Sequence, residues 1–140
     1  MTSEVGDPSC VFCRVVGGSE PASTVVSGAL VVAFLDAYPV APGHVLVVPR
    51  RHVPSVTDLT AEEGAELWAT AQRVATRVKA ALAPSVNLHL SDGEAAEQDV
   101  PHTHLHVIPR HPGDRVVLDL PGERVDRAEL DRVAAVLAAD

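Results

Sequence analysis

From His102 to Ile108 the chain alternates: histidine at 102, 104 and 106, with Thr103, Leu105 and Val107 between them. On a strand, residues two apart share a face at about 6.5 to 7 Å spacing, so three imidazoles line one surface. Packing alone does not explain such a triplet, because burying several groups that each need partners costs stability. Val86 to Ser91 alternates in the same way and reads as a second strand, joined to the first by the polar loop Asp92 to Pro101. Upstream, Thr24 to Val26 and Ala29 to Leu35 are β-branched and apolar, and Ser27-Gly28 between them reads as a tight hairpin. Pro39, Pro42 and Gly43 break the next stretch, Tyr38 to Gly43, before His44 to Val48 resumes as a strand.

One long helix is expected. Thr60 with Glu63 forms a capping-box signature, and Leu67, Ala71, Val74, Val78 and Leu82 recur at helical spacing until Pro84 stops the pattern. Residues 110–125, with two Pro-Gly pairs, read as irregular, and a last helix over 126–139 starts near Asp126, with Leu130, Val133, Ala134 and Leu137 on one face. Aromatics are only 3% of the chain, so Val, Leu and Ala must build the core. The expected class is α+β: a mostly antiparallel five-stranded sheet with one long central helix and a C-terminal helix. At 140 residues and 46% hydrophobic this is one domain over 1–140, with residues 1–9 a loose lead-in.

A formal net charge of −8 repels polyanions, which argues against non-specific nucleic-acid binding but leaves room for a nucleotide in a locally neutral pocket. The longest apolar stretch, Ala29 to Leu35, is far short of a membrane span. Residues 1–9 carry Glu4 and Asp7 and no basic residue, unlike a secretory signal, and the expected location is cytoplasmic. In that reducing setting the only cysteines, Cys10 and Cys13, suggest a metal or redox site before a structural disulfide.

Three segments, "CVFC" at 10–13, "AFLDAYPVAPGHVLVVPRRHV" at 33–53 and "VPHTHLHVIPR" at 100–110, resemble the histidine triad (HIT) family in content, order and spacing. The resemblance implies a five-stranded antiparallel sheet with a long helix, a homodimer, and nucleotidyl transfer or hydrolysis at the α-phosphate of a purine nucleotide. Neutral imidazole suits that chemistry, since it attacks phosphorus to give a phosphoramidate that water then opens. By resemblance His104 is the nucleophile, His106 contacts the phosphate and assists the leaving group, and His44 is a further active-site histidine. Asp36 matches a ribose-hydroxyl acceptor. Phe12, Val15, Phe34, Leu35 and Ala37 fall where the family encloses the base, although core packing would use the same side chains. Gln98 and Ser91 match positions in the phosphate-binding loop.

Part of the family, and the related galactose-1-phosphate uridylyltransferases, hold zinc at positions matching Cys10, Cys13, His52 and His102. Two thiolates and two imidazoles make a closed, structural tetrahedral set. Free thiols or a redox dithiol are the alternatives, and the lack of a preceding strand or a helix start at Cys13 favours zinc.

The chain departs from the pattern where Ser91 replaces an asparagine, Glu97 a glycine and Asp99 a Ser or Thr. Two carboxylates beside a phosphate oppose a polyanionic substrate, so the expected activity is a nucleoside phosphoramidase. Dinucleoside polyphosphate hydrolysis or phosphorolysis, a metallohydrolase with catalytic zinc on the triplet, and a nucleotide-binding module with little turnover are the alternatives. His89, on the strand face of Asn87 and Ser91, reads as a solvated or satisfied histidine.

Overall fold

The computed structural model describes residues 6–139. In chain order the elements are α1 (Val11–Gly17), β1 (Thr24–Ser27), β2 (Val31–Leu35), β3 (Val45–Pro49), α2 (Ala61–Ala81), β4 (Ser85–Leu90), β5 (Leu105–Arg110) and α3 (Arg127–Ala138). The five strands form one antiparallel sheet in the order β1-β2-β3-β5-β4. Among the described residues no helix is long and apolar enough to cross a membrane.

Period-2 patterning on the inner strands divides the core. Val31, Ala33, Val45, Val47, Leu105 and Val107 face α2 and pack on its Leu67, Ala71, Val74 and Val78. Val32, Phe34, Leu46 and Val48 point the other way and pack on Cys10, Phe12 and Cys13 at α1. The Thr60–Glu63 capping box closes the start of α2, and the Arg51 guanidinium donates to both Glu63 carboxylate oxygens, at 3.1 and 2.7 Å, tying the segment after β3 to that helix. Gly43, at φ 90°, takes a left-handed turn just before His44, and a Cβ there would meet Leu82 Cδ1 at 2.5 Å. A larger residue would be strained at that φ and would have to push the Leu82 side chain aside.

Two expectations need correction. No helix start is expected at Cys13, yet α1 forms around it, with Cys10 as N-cap accepting from the Cys13 amide, so the missing helix no longer favours zinc over a redox dithiol. Seven residues without an ordinary capping side chain carry little local signal, and burial of Phe12 and Cys13 holds the helix. The strand read from His102 begins only at Leu105. The Thr103 amide and hydroxyl both donate to the Val53 carbonyl, each at 2.7 Å, and the His102 amide donates to Val100 O, so the first two histidines lie before the ladder. Of the loose lead-in, residues 1–5 lie outside the described residues, whereas Asp7 organises a turn through the Ser9 and Cys10 amides. The C-terminal helix starts where expected, with Asp126 capping the Glu129 amide, but none of its residues is buried.

Candidate active site and metal cluster

The reactive face is built by β3, β5 and the segment before β5. His106 lies across from Leu46 on β3 and His89 on β4, and the His104 and His106 rings stand 5.0 Å apart. The His104 Nδ1 lies 2.7 Å from the His102 carbonyl. A carbonyl only accepts, so Nδ1 carries a proton, and in the neutral ring Nε2 keeps its lone pair.

His104 and His106 line a cavity of about 770 Å³ together with Phe12, Val15, Phe34, Leu35, Asp36 and Ala37. Phe12 stands edge-on to Phe34, His104 and His102, at ring distances of 5.7, 5.1 and 5.8 Å, and so joins the cavity wall to the metal-type cluster behind it. One Asp36 oxygen accepts from the Tyr38 amide at 2.9 Å, and the other lies 3.6 Å from His44 Nε2. Burial pushes His106 down to about 4, with His104, His44 and His89 adding repulsion and Asp36 opposing. Burial also lowers His44, against the attraction of Asp36. Both rings are neutral at pH 7.

Other residues singled out in the sequence stand elsewhere. His44 is buried and lies outside the cavity wall, its Nδ1 accepting from the Val40 amide at 3.1 Å and its Nε2 lying 2.8 Å from His106 Nδ1. Gln98 is used internally: its carbonyl accepts from the Gly93 amide, and its NH2 donates to Pro54 O and Val100 O. The Ser91 hydroxyl meets His89 Nε2 at 3.2 Å, and neither Gln98 nor Ser91 lines the cavity. His89 is exposed and bonded to Ser91, as expected, and its ring stands 5.7 Å from that of His106.

The two acidic departures separate. Glu97 is outside the cavity, whereas Asp99 lines it and places Oδ1 3.4 Å from His104 Nε2. Glu97 is also the only non-glycine at positive φ among the described residues, at 63°, where the family's glycine would be at ease. The sequence reading missed Val11, Glu20, Tyr38 and Val100 in the cavity wall. Recognising α1 would have found the first, because Val11 and Val15 are four apart on one helix face.

Cys10, Cys13, His52 and His102 converge behind Phe12. His102 Nε2 lies 2.8 Å from the Pro49 carbonyl and must donate to it, which leaves Nδ1 bare toward Cys10 Sγ at 3.5 Å and Cys13 Sγ at 3.6 Å. His52 Nδ1 lies 3.2 Å from Cys13 Sγ. Tetrahedral zinc with Zn–S near 2.3 Å and Zn–N near 2.0 Å requires S···N separations of about 3.5 Å, so the donor set fits that ion. Without a cation, burial pushes the Cys13 thiol up to about 11.

Comparison with known proteins places this geometry. The sequence model of the HIT domain matches residues 18–113. A bifunctional bis(5'-adenosyl)-triphosphatase/adenylylsulfatase of Arabidopsis thaliana is 38% identical over 128 residues, covering 78% of this chain and 71% of that protein. A crystal structure from Streptococcus mutans UA159 superposes with a TM-score of 0.88 at 30% identity, over 98% of this chain and 88% of that one. A zinc-bound histidine triad family protein from Mycobacterium smegmatis superposes at 0.74 with 35% identity, over 91% and 97%. The row of histidines and the sheet that carries it thus have a common source, and the chain belongs to the HIT family.

Proposed function

We propose that this protein is a nucleotide hydrolase or nucleotidyltransferase working through a covalent nucleotidyl-histidine, with nucleoside phosphoramidates as preferred substrates. The observation that carries this reading is the His104 ring, whose Nδ1 is fixed by the His102 carbonyl so that in the neutral form the Nε2 lone pair stands beside a cavity of about 770 Å³, with Asp99 Oδ1 3.4 Å from it. In the first step Nε2 attacks the α-phosphorus, the bond from phosphorus to the amine nitrogen breaks with the nitrogen taking a proton from solvent, and the neutral His106 donates a hydrogen bond from its Nε2–H to the departing group. In the second, water attacks phosphorus and loses its proton to solvent, and the bond from phosphorus to Nε2 breaks to release the nucleotide. Phe12, Val15, Phe34, Leu35 and Ala37 enclose the purine, and Asp36 accepts from the ribose.

The leaving-group preference rests on Asp99. Its carboxylate disfavours the additional charge of a polyphosphate and does not repel an amine, which leaves uncharged. The side chain is 81% exposed, so solvent removes most of the repulsion, and the expected bias is about threefold to tenfold in kcat/KM. The likeness to the Arabidopsis triphosphatase supports the second reading, dinucleoside polyphosphate hydrolysis. Intact mass after brief mixing with an adenosine phosphoramidate should show a nucleotidyl adduct that is absent in His104→Ala. Asp99→Ser should shift kcat/KM toward diadenosine triphosphate. No adduct would sink the covalent reading, and an unchanged substrate ratio would sink the role of Asp99.

Cys10, Cys13, His52 and His102 hold a structural zinc in this reading. All four positions are filled by protein, so the ion braces α1 against the segments carrying the two histidines and activates no water. The protein acts as a homodimer, a reading supported by the outer edge of β4, which pairs with no strand among the described residues. Light scattering after size exclusion should return twice the 14.7 kDa chain mass.

A further inference from the structure

His44 does not itself line the cavity, yet it is held at both nitrogens. The Val40 amide can only donate, so the His44 Nδ1 that it meets at 3.1 Å must present a lone pair. In the neutral ring the proton then resides on Nε2. That nitrogen lies 2.8 Å from His106 Nδ1 and 3.6 Å from Asp36 Oδ2, and only the first distance is a hydrogen bond. His106 Nδ1 must therefore accept, and its own proton is on Nε2. The reverse arrangement would set an N–H of His44 against the N–H of Val40.

We propose that His44 is a positioning residue: with its Nδ1 pinned by the Val40 amide, it donates to His106 Nδ1 and so keeps the His106 proton on Nε2, on a ring that lines the cavity. The use of that proton rests on the nucleotidyl-transfer reading above, whereas the tautomer itself does not. The same chain of donors disposes of a competing use of these atoms. Asp36, His44 and His106 place ligand atoms within 4.8 Å of one another, as a cation site would. A protonated His44 Nε2 cannot ligate a metal unless the Val40 bond is given up. The groups facing His106 are His104, His44, His89 and Asp36, and Asp36 is the charged group beside His44. Burial keeps both imidazoles neutral, and the argument requires them neutral.

The test has two parts. Long-range proton–nitrogen correlation spectra of the nitrogen-15-labelled protein at pH 7.5 should show Nδ1 unprotonated and Nε2 protonated in both His44 and His106. A protonated Nδ1 on His106 would overturn the proposal. In turnover of an adenosine phosphoramidate, His44→Leu should lower kcat about tenfold or more with KM within about twofold, since the hydrogen-bond donor loses its alignment. His44→Gln, whose side-chain NH2 can reach the place of Nε2, should recover most of that loss. Glutamine no better than leucine, or a leucine variant as fast as wild type, would overturn it. Should His44→Leu fail to fold, the wild-type spectra decide. A wild type without turnover would instead refute the nucleotidyl-transfer reading and leave the tautomers to be judged by the spectra alone.

Discussion

Two groups of side chains place ligand atoms within 4.8 Å of one another: Cys10, Cys13, His52 and His102 behind Phe12, and Asp36, His44 and His106 beside the cavity. Both lie on the same side of the sheet, and each has a buried histidine whose far nitrogen is held by backbone. The holding groups are opposites. At His102 the Pro49 carbonyl takes the proton of one nitrogen and leaves the other bare toward two thiols. At His44 the Val40 amide occupies a lone pair and leaves the other nitrogen protonated toward His106. Proximity alone would make both into metal sites. The backbone group behind each ring decides which nitrogen is free to accept a metal and which is left to donate a hydrogen bond.

The largest effect should come from the reactive side. In the proposed nucleotidyl transfer His104→Ala removes the bond-forming atom and should cost about a thousandfold or more in turnover, with nucleotide affinity nearly unchanged. Retention of more than about a tenth of the wild-type rate would exclude the covalent role.

The metal side should break differently. Elemental analysis should find about one zinc per chain, and Cys10→Ser should lower Tm by about 10 °C or more while the chemical step changes by less than about fivefold. A stable, metal-free wild type would contradict this, and zinc that persists in Cys10→Ser at full occupancy would place the ion at the other cluster.

Acid should sharpen the comparison. His106 titrates near 4 in the folded protein against about 6.5 unfolded, so between those values the unfolded chain binds more protons. The contribution is fully present above pH 6.5 and is lost as pH falls toward 4, and His44 acts in the same direction. Glu63 is held low by Arg51, so its contribution is full above about pH 4.5 and is lost as pH falls below that. Denaturant midpoints should therefore fall from pH 6.5 to 4, and His106→Gln should flatten that slope. An unchanged slope would show that burial does not hold His106 neutral.

The smallest effect belongs to a residue in neither cluster. Glu97→Gly should raise stability by about 0.5–1 kcal/mol by relieving the left-handed backbone, and should leave the substrate ratio unchanged because Glu97 is outside the cavity. Denaturation midpoints and paired kcat/KM values check both parts.

Local chemistry determined much of this molecule. The alternating valines of β2 and β3, the Thr60–Glu63 box and the Asp126 cap act within a few residues of themselves, so the strands, the long helix and the last helix were legible in the sequence, as were the histidine row and the candidate zinc ligands. What was illegible depends on partners far along the chain. α1 forms because burial against Val32, Phe34 and Leu46 stabilises a helix too short to hold itself. His102 leaves the strand because Thr103 bonds Val53, 50 residues away. Gln98 turns inward because Pro54 and Val100 offer carbonyls. The tautomers of His102, His104 and His44 follow from Pro49, His102 and Val40 backbone groups, which every sequence possesses at every position. Side-chain pattern can therefore name the histidines, but only the tertiary structure decides which nitrogen of each is free to act.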